Sequence, residues 1–347
     1  MDVFTMTGRK RETYDVQMVY SSLWECALGI AAVTNSRLID TLEKPYSYWK
    51  EVKESLSEEL VNQLEYVETN NTWKALLQLL HYTKNENIEA FTTHVQSLDN
   101  VRLKFLCLPF VGDRFQDVRE KAAYGDERAI TALKEITKEN PFFPQYIEFI
   151  SKSEPTELKT HLIKVMTGWY RSVVAPELEA TEQILRTDYE SKKEMKAKVS
   201  AEELVQWATG GIQYLPEPSV HRVLLIPQFV YRPWTIEADI EGTKVFYYPV
   251  ANESIAPHDN YMPSQSLVLK HKALGDEVRL RMVKLLSECE RSLQELTDQL
   301  DLGKSTIHHH LKLLRAAKIV ETNQGKYSLN RNGLELLSAE LEQYVNR

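Results

Sequence analysis

The segment from residue 292 to residue 330 constrains the fold of this chain more than any other part of the sequence. Its apolar residues recur every three or four positions in two short stretches, 293–300 and 307–314. This spacing predicts two amphipathic helices, each with one buried face. Gly303 lies between them and supplies the backbone freedom that a sharp corner requires. The segment therefore predicts two crossed helices joined by a turn of a few residues.

The residues around this helix pair predict a small, complete unit. Ser292 and Glu295 have the spacing of a capping box, so we expect the first helix to begin there. Two short apolar runs on either side of Gly325 predict a β-hairpin after the second helix. Amphipathic patterns at 278–286 and 334–345 predict one further helix on each side.

The polar face of the second helix indicates what the unit binds. It carries hydrogen-bond donors and cations but no carboxylate, and its members are Lys304, Ser305, Thr306, His308, His309, Lys312 and Arg315. A helix whose polar face serves only solubility usually mixes both signs of charge, whereas one that lies against phosphates and base edges does not. We therefore expect this helix to enter the major groove of double-stranded DNA.

Within that face, position along the helix predicts the role of each side chain. Ser305 and Thr306 lie at the amino end, where recognition helices contact base edges. Lys312 and Arg315, together with Lys326 of the hairpin, are predicted phosphate contacts. Imidazole donates to guanine or to phosphate, so both roles stay open for His308 and His309.

Residues 265–347 resemble the winged helix-turn-helix domain of the ArsR/SmtB-type bacterial repressors. The family's recognition-helix pattern, roughly S-T-V-S-H-H-L-x-x-L-x-x-A-G-L-V, is matched by the run Ser305–Val320. The run Lys272–Arg279 likewise resembles the family's opening A-L-a-d-p-t-R. His308 stands where serine is usual, and Lys318 stands at the helix end where the family has glycine. The resemblance implies a DNA-binding transcriptional repressor of the subset with a long N-terminal region.

Metal sensing, for which this family is best known, is not expected here. The family's sites are a C-x-C pair in the first helix of the helix-turn-helix and Asp and His pairs on the last helix. Residues 293–300 contain no cysteine, and residues 334–347 contain neither histidine nor aspartate. The three histidines at 308–310 fan out around about 200° of a helix, so they do not converge on one ion. We expect no metal site and no cofactor.

Apolar residues before and after the helix-turn-helix predict a homodimer. They exceed what one small domain must bury, and the predicted interface residues are Leu267, Leu274, Leu334, Leu337, Leu341 and Val345. Two recognition helices related by a two-fold axis, roughly 34 Å apart, read an inverted repeat.

Composition places the chain among mainly helical proteins of a reducing compartment. Its 12 glycines among 347 residues argue against glycine-rich nucleotide-binding loops. The net charge of −8 comes from the residues before 264, so DNA contact depends on where the cations of the C-terminal region are placed. The three cysteines are far apart, and no apolar run approaches the about 18 residues of a membrane span. We expect a cytoplasmic protein with no membrane partner.

The sequence before the winged helix predicts a helical body followed by a small sheet. Helical spacing is found at 16–33, 56–66, 73–82, 88–98, 118–122, 129–137, 157–170 and 175–199. Four β-rich apolar runs follow between residues 216 and 250, and we expect this segment to form a small antiparallel sheet. The predicted domains are residues 1–215, 216–262 and 263–347, and the predicted class is mainly α (α+β).

Aromatic residues in the body allow either a ligand pocket or a packed core. The residues that would line a pocket for an apolar small-molecule effector are Trp207, Tyr231, Trp234, Phe246 and Tyr248. Catalytic motifs are missing, and the histidines of the body are scattered singly, so we do not expect an enzyme. Three hypotheses follow: a ligand-responsive regulator, a constitutive DNA-binding protein whose body only dimerises, and an enzyme fused to a DNA-binding domain.

Overall fold

The computed structural model describes residues 13–83, 87–259, 261–323 and 325–346. Helices make up most of the described chain, and two small sheets accompany them. This confirms the predicted class, mainly α with a large helical N-terminal region and a C-terminal winged helix. No helix in the described ranges is long and apolar enough to span a lipid bilayer.

The N-terminal region is a succession of helices preceded by one strand. In chain order its elements are β1 (Asp15–Met18), α1 (Ser22–Val33), α2 (Ser36–Ile39), α3 (Tyr46–Ser55), α4 (Glu58–Asn70), α5 (Trp73–Leu80), α6 (Ile88–Ser97), α7 (Asn100–Cys107), α8 (Gln116–Ala123), α9 (Glu127–Ile136), α10 (Phe143–Lys152), α11 (Pro155–Trp169), α12 (Leu178–Lys196) and α13 (Ala201–Ala208). A π-helical turn at Tyr170–Val174 and a 3-10 turn at Ala175–Glu177 connect α11 to α12.

Helix α1 lies at the centre of the body, because every one of its residues is buried. A helix that is apolar on all sides is stable only inside a core. We predicted that this helix extends from residue 16, which is wrong at its amino end. Ser21 caps α1 by accepting a hydrogen bond from the Leu23 amide at 3.2 Å, and Val16 lies in the sheet as the partner of Val223. The strand is only 4 residues long, too short for its period of two to stand out from the helical spacing that follows it.

The body sheet is mixed rather than antiparallel. It contains β1, β2 (Arg222–Gln228), β3 (Ile236–Ile240) and β4 (Thr243–Pro249), in the order β1-β2-β4-β3. Only β3 and β4 pair antiparallel, whereas β1 with β2 and β2 with β4 pair parallel. The antiparallel prediction is wrong because the second strand of the β3–β4 hairpin, and not the first, lies beside β2. The apolar pattern of a strand does not encode which neighbour it takes.

Both faces of this sheet are buried. On β4, Val245 and Tyr247 pack with the helices around α1, whereas Phe246 and Tyr248 face a second core that includes residues of α13. Alternate residues of a strand point to opposite faces, so neighbouring aromatics enter different cores. The sheet thus shares its cores with the helical body, and the predicted boundary at residue 215 stays a prediction.

The C-terminal region has its own elements and its own core. After α14 (Asn252–Ile255) come α15 (Gln265–Leu274), α16 (Glu277–Glu288), β5 (Arg291–Ser292), α17 (Leu293–Leu300), α18 (Lys304–Ala316), β6 (Val320–Asn323), β7 (Lys326–Leu329) and α19 (Arg331–Val345). The three strands form a sheet in the order β5-β7-β6. Apolar residues of α16, α17 and α18, including Met282, Leu296 and Leu311, form one buried cluster.

Specific hydrogen bonds join this region to the body. The Gln265 side chain donates to Glu43 Oε2 at 3.0 Å, and the Asn252 side chain donates to the Pro263 carbonyl at 2.7 Å. Glu43 also pairs with the buried Arg232 guanidinium at 2.8 Å. The start of α15 is therefore tied to the loop that precedes β3.

Candidate nucleic-acid interface

Helix α17 begins as predicted, but the turn after it is built differently. Ser292 Oγ accepts from the Glu295 amide at 3.3 Å, and Glu295 Oε2 accepts from the Ser292 amide at 2.7 Å. Asp301, and not Gly303, adopts the left-handed conformation of the corner, with φ of 52°. Gly303 has φ of −60° and ψ of 141°, which any residue adopts. Aspartate tolerates the left-handed region better than most residues, so the glycine is not what makes this turn.

Helix α18 separates an apolar face from a polar one. Ile307, Leu311 and Leu314 are buried in the core of the C-terminal region. The exposed residues are Lys304, Ser305, Thr306, His308, His309 and Arg315, and Lys312 is half-buried. The structure therefore presents the predicted DNA-contact residues of this helix on its accessible side, with no carboxylate among them.

The hairpin formed by β6 and β7 carries the remaining predicted contact. Lys326 is exposed at the start of β7, where it pairs with Asn323 of β6. Its Nζ lies 3.1 Å from Glu290 Oε1, and this hydrogen bond raises the pKa of Lys326. The ammonium group of Lys326 is exposed on the surface, but the Glu290 carboxylate competes with any DNA phosphate for it.

Residue His310 differs from its two neighbours in the histidine triplet. It is half-buried, its Nδ1 accepts from the Arg279 guanidinium at 3.3 Å, and it lies 3.9 Å from Asp276 Oδ1. Asp276 in turn caps α16 by accepting from the Arg279 amide at 2.9 Å. The sequence did not predict these polar partners of His310, which come from the start of α16 and the turn before it.

The exposed histidine at position 308 is a neutral donor and acceptor near pH 7. Partial burial and the neighbouring cations of Lys312 and Arg315 lower its pKa. A neutral imidazole offers one N–H and one lone pair, which suits base edges as well as phosphate. Across the described ranges, no three His, Cys, Asp or Glu side chains are grouped so as to hold a metal ion.

Lys318 follows the carboxyl end of α18, the predicted recognition helix, and it approaches the body in a way that we did not predict from the sequence. It adopts the left-handed conformation, with φ of 55°. Its side chain points towards the body, where Lys318 Cβ lies 3.7 Å from the position that a β-carbon on Gly211 would occupy. Burial lowers the pKa of Lys318 to about 8. The lysine in place of the family's glycine was the signal for this contact.

The predicted dimer-interface residues divide into two groups. Leu267 is only 4% exposed, so its assignment to an interface is wrong: it packs within the chain. Leu274 and Leu334 are half-buried against the core of the C-terminal region. Leu337 is half-buried, and the last two residues of the set, Leu341 and Val345, are 41% and 70% exposed. Of the six predicted residues, those at the carboxyl end of α19, Leu341 and Val345, are the uncovered ones.

The five aromatic residues predicted to line one effector pocket are not brought together. Tyr231 and Trp234 pack with the core around α1, whereas Phe246 and Tyr248 are buried on the opposite face of the sheet. These four fill cores, which corrects the pocket prediction for them. Trp207 differs, since it is 46% exposed and borders a cavity between the body and the C-terminal region.

Comparison with known proteins agrees with this geometry. Residues 276–322 match the family model described as bacterial regulatory protein, arsR family, and this range runs from the start of α16 through the first residues of the hairpin. No curated protein and no solved structure matches the chain. The match supports a DNA-binding transcription regulator. The C-terminal region of this chain thus contains a segment, residues 276–322, that matches the bacterial arsR family of helix-turn-helix regulators, and it follows a long, mainly helical N-terminal region.

Proposed function

We propose that this protein is a transcriptional repressor that acts in the cytoplasm, binds an inverted-repeat operator as a homodimer and responds to a small-molecule effector. The observation that carries the proposal is the accessible face of α18, which bears cations, hydroxyls and imidazoles but no carboxylate. Such a face binds phosphates and reads base edges in the major groove. The proposal assigns no catalytic role to the body and no metal to the regulator.

Two-fold symmetry follows from the size of one recognition helix. A single helix reads only a few base pairs, and regulators of this kind gain specificity by placing two helices roughly 34 Å apart. The uncovered strip of α19 that contains Leu341 and Val345 supports self-association, because side chains four residues apart lie on the same face of a helix.

The body supports an input to the DNA-binding domain. The hydrogen bonds of Gln265 and Asn252 link the two regions, and Lys318 approaches Gly211 of the body. A ligand shifts an equilibrium between DNA-competent and incompetent states only if it binds the two states with different affinity. Because the body contacts the DNA-binding domain at the start of α15 and at the end of α18, a ligand bound between the two regions would sense their arrangement.

Selection of DNA from a random pool tests the core of the proposal. The full-length protein is mixed with random-sequence duplexes, and the enriched sites are sequenced and footprinted. We expect an inverted repeat whose half-sites are centred about 10 base pairs apart, occupied by two chains per site as measured by light scattering. Enrichment of a site without dyad symmetry, or of no site, contradicts it.

Repression is tested separately from binding. The selected site is placed over the promoter of a reporter gene, and the protein is expressed from a second promoter. We expect reporter output to fall, and to stay unchanged when the site is scrambled. A rise in output would make the protein an activator and overturn the repressor assignment while leaving DNA binding intact.

A further inference from the structure

A cavity of about 630 Å³ lies between the body and the DNA-binding domain. Its body side is formed by α12, α13 and residues 249–254. Its other side is formed by α15, the carboxyl end of α18 and α19. The volume falls within the range of small-molecule sites, which lie preferentially where two domains meet.

The recognition helix takes part in the wall of this cavity. Ala316, Ala317 and Lys318, at the end of α18, all border it. The same helix presents Thr306 and His309 to solvent at its other end. Because a helix is rigid over this length, a molecule that presses on its last turn alters the orientation of its first turn.

The wall residue Glu340 has one buried carboxylate oxygen that lacks a hydrogen-bond donor among the described residues. Glu340 Oε1 accepts from Lys270 Nζ at 2.8 Å and from Ser266 Oγ at 3.0 Å. Glu340 Oε2 is buried, and it has no hydrogen-bond partner among the residues that the structure describes. A buried acceptor without a donor is destabilising by about 1–3 kcal/mol. A ligand whose binding turns the Glu340 carboxylate towards the cavity and that donates to this oxygen removes that penalty.

An aromatic surface lies on the same cavity. Trp207 remains 46% exposed although it belongs to α13, which otherwise packs on the body. Lys192 Nζ lies over the indole, 4.3 Å from the ring centroid, and is itself paired with Asp188 at 3.2 Å. An exposed indole beside a cavity provides a stacking partner for a planar ligand.

The charges around the cavity favour a cationic ligand over an anionic one. Three carboxylates border it, those of Glu203, Glu253 and Glu340, of which Glu340 is paired with Lys270 at 2.8 Å. Of the two lysines that border it, Lys192 is neutralised by the buried Asp188 carboxylate. Lys318 has the carboxylates of Glu237 and Glu321 near it.

We propose that this cavity binds a small aromatic amine, whose ring packs on Trp207 and whose N–H group donates to Glu340 Oε2. Occupancy changes the affinity for DNA through the last turn of α18. The second statement rests on the proposed function, because it requires that α18 bind DNA. The first does not, and the two are tested by separate measurements.

Fluorine NMR of the full-length protein labelled with 5-fluorotryptophan tests the binding site. The Trp207 signal is assigned by its loss in Trp207→Phe. The probes are tryptamine, phenethylamine and 4-aminoquinoline, each paired with an analogue that lacks the amino group: 3-ethylindole, ethylbenzene and quinoline. We expect at least one amine to shift the Trp207 signal saturably, with an affinity about tenfold or more above that of its analogue.

Two variants separate the role of the unpartnered oxygen from general packing. Glu340→Gln should remove the preference for the amine over its analogue, whereas Ser266→Ala, which affects only Oε1, should preserve it. The proposal is overturned if none of the three amines moves the Trp207 signal, if amine and analogue bind equally, or if Glu340→Gln keeps the preference.

Coupling to DNA is measured with the best amine. The dissociation constant of the selected duplex is determined with and without saturating amine, and that of the amine with and without duplex. We expect the two ratios to agree and to differ from one by about fivefold or more. A ratio of one overturns the coupling. If the protein binds no duplex at all, the proposed function fails, while the Trp207 signal still decides whether the amine binds.

Discussion

The backbone carbonyl group of Lys318 occupies the space that a β-carbon on Gly333 would need. The carbonyl carbon of Lys318 lies 3.2 Å from that position, and its oxygen lies closer still. Gly333 belongs to the first turn of α19, where its amide donates to the capping side chain of Asn330 at 3.0 Å. The end of the recognition helix and the start of the last helix are thus in backbone contact, which only glycine allows.

Replacing Gly333 by alanine should therefore destabilise the DNA-binding domain. The added methyl group forces α19 away from Lys318, and overpacking of this kind usually costs roughly 1–3 kcal/mol. Urea unfolding of wild type and variant measures the change. Gly303→Ala is the control, because Gly303 has an ordinary backbone and its β-carbon would meet nothing nearer than Thr306 Oγ1 at 3.8 Å. Equal stability of the two variants would contradict the contact.

Local signals explain why the C-terminal region was predictable. The capping box of Ser292 and Glu295, the spacing of Ile307, Leu311 and Leu314, and the hairpin each depend on residues close in sequence. Even there, the prediction that Gly303 forms the corner was wrong. Glycine permits a left-handed conformation without requiring one, and Asp301 adopts that conformation instead.

Contacts between distant residues explain what the sequence did not reveal. Val16 pairs with Val223, although nearly all of the body lies between them in the sequence, and no local pattern predicts that partner. The aromatic residues of β4 are equally apolar, yet Phe246 and Tyr247 enter different cores because strand residues alternate. The cavity beside Trp207 is formed by both regions of the chain, so periodicity within either region does not show it.

The accessible end of the recognition helix provides the test of base reading. Thr306→Ala and His309→Ala should each weaken binding of the selected operator by about 1–3 kcal/mol and relax the preference at particular bases. Both side chains are exposed, so folding should be unaffected, which circular dichroism checks. Thr131→Ala, an exposed helical threonine of the body, is the control. If a variant that combines Thr306→Ala with His309→Ala keeps the affinity and base preference of the wild type, the DNA-reading face lies elsewhere.

The hairpin lysine should contribute to affinity without contributing to sequence preference. Lys326→Ala should weaken binding of all duplexes alike and reduce the slope of log affinity against log salt by about one unit. Glu290→Gln should act in the opposite direction, because it releases Lys326 from the 3.1 Å ion pair. Binding is measured at several salt concentrations.

An exposed lysine of the body serves as the control for that measurement. Lys50 pairs with Glu54 at 3.7 Å, far from the winged helix in sequence, and Lys50→Ala should leave the salt slope unchanged. An unchanged slope in Lys326→Ala would remove the hairpin from the DNA interface.

The apolar end of α19 should decide the oligomeric state. Introducing Leu341→Glu with Val345→Glu places two charges on the exposed strip and should convert a dimer into the 40.2 kDa monomer. Light scattering at micromolar concentration measures the mass. Tyr124→Glu, at a residue of the body that is 70% exposed, should leave the dimer intact. A wild-type protein that is monomeric both alone and on DNA would contradict the homodimer.

The lysine at the end of the recognition helix should make stability depend on alkaline pH. Burial lowers the pKa of Lys318 to about 8 from its ordinary value of 10.5. Between these values the unfolded chain binds more protons than the folded chain, so this residue makes stability rise with pH, by at most about 1.4 kcal/mol per pH unit. Below pH 8 Lys318 is charged in both the folded and the unfolded state, so burial of the charge destabilises the folded state by its full amount.

Lys318→Met keeps the length of the side chain and removes the charge, so it should be more stable than wild type at pH 7. That advantage should shrink as the pH rises from 8 towards 10.5. Burial also lowers the pKa of Lys74 to about 8, so the wild-type curve alone does not identify the residue; the difference between variant and wild type does. Unfolding in urea at pH 7, 8, 9 and 10 measures it, with Lys304→Met as an exposed control. A difference that is constant over this range would show that Lys318 keeps its proton when folded.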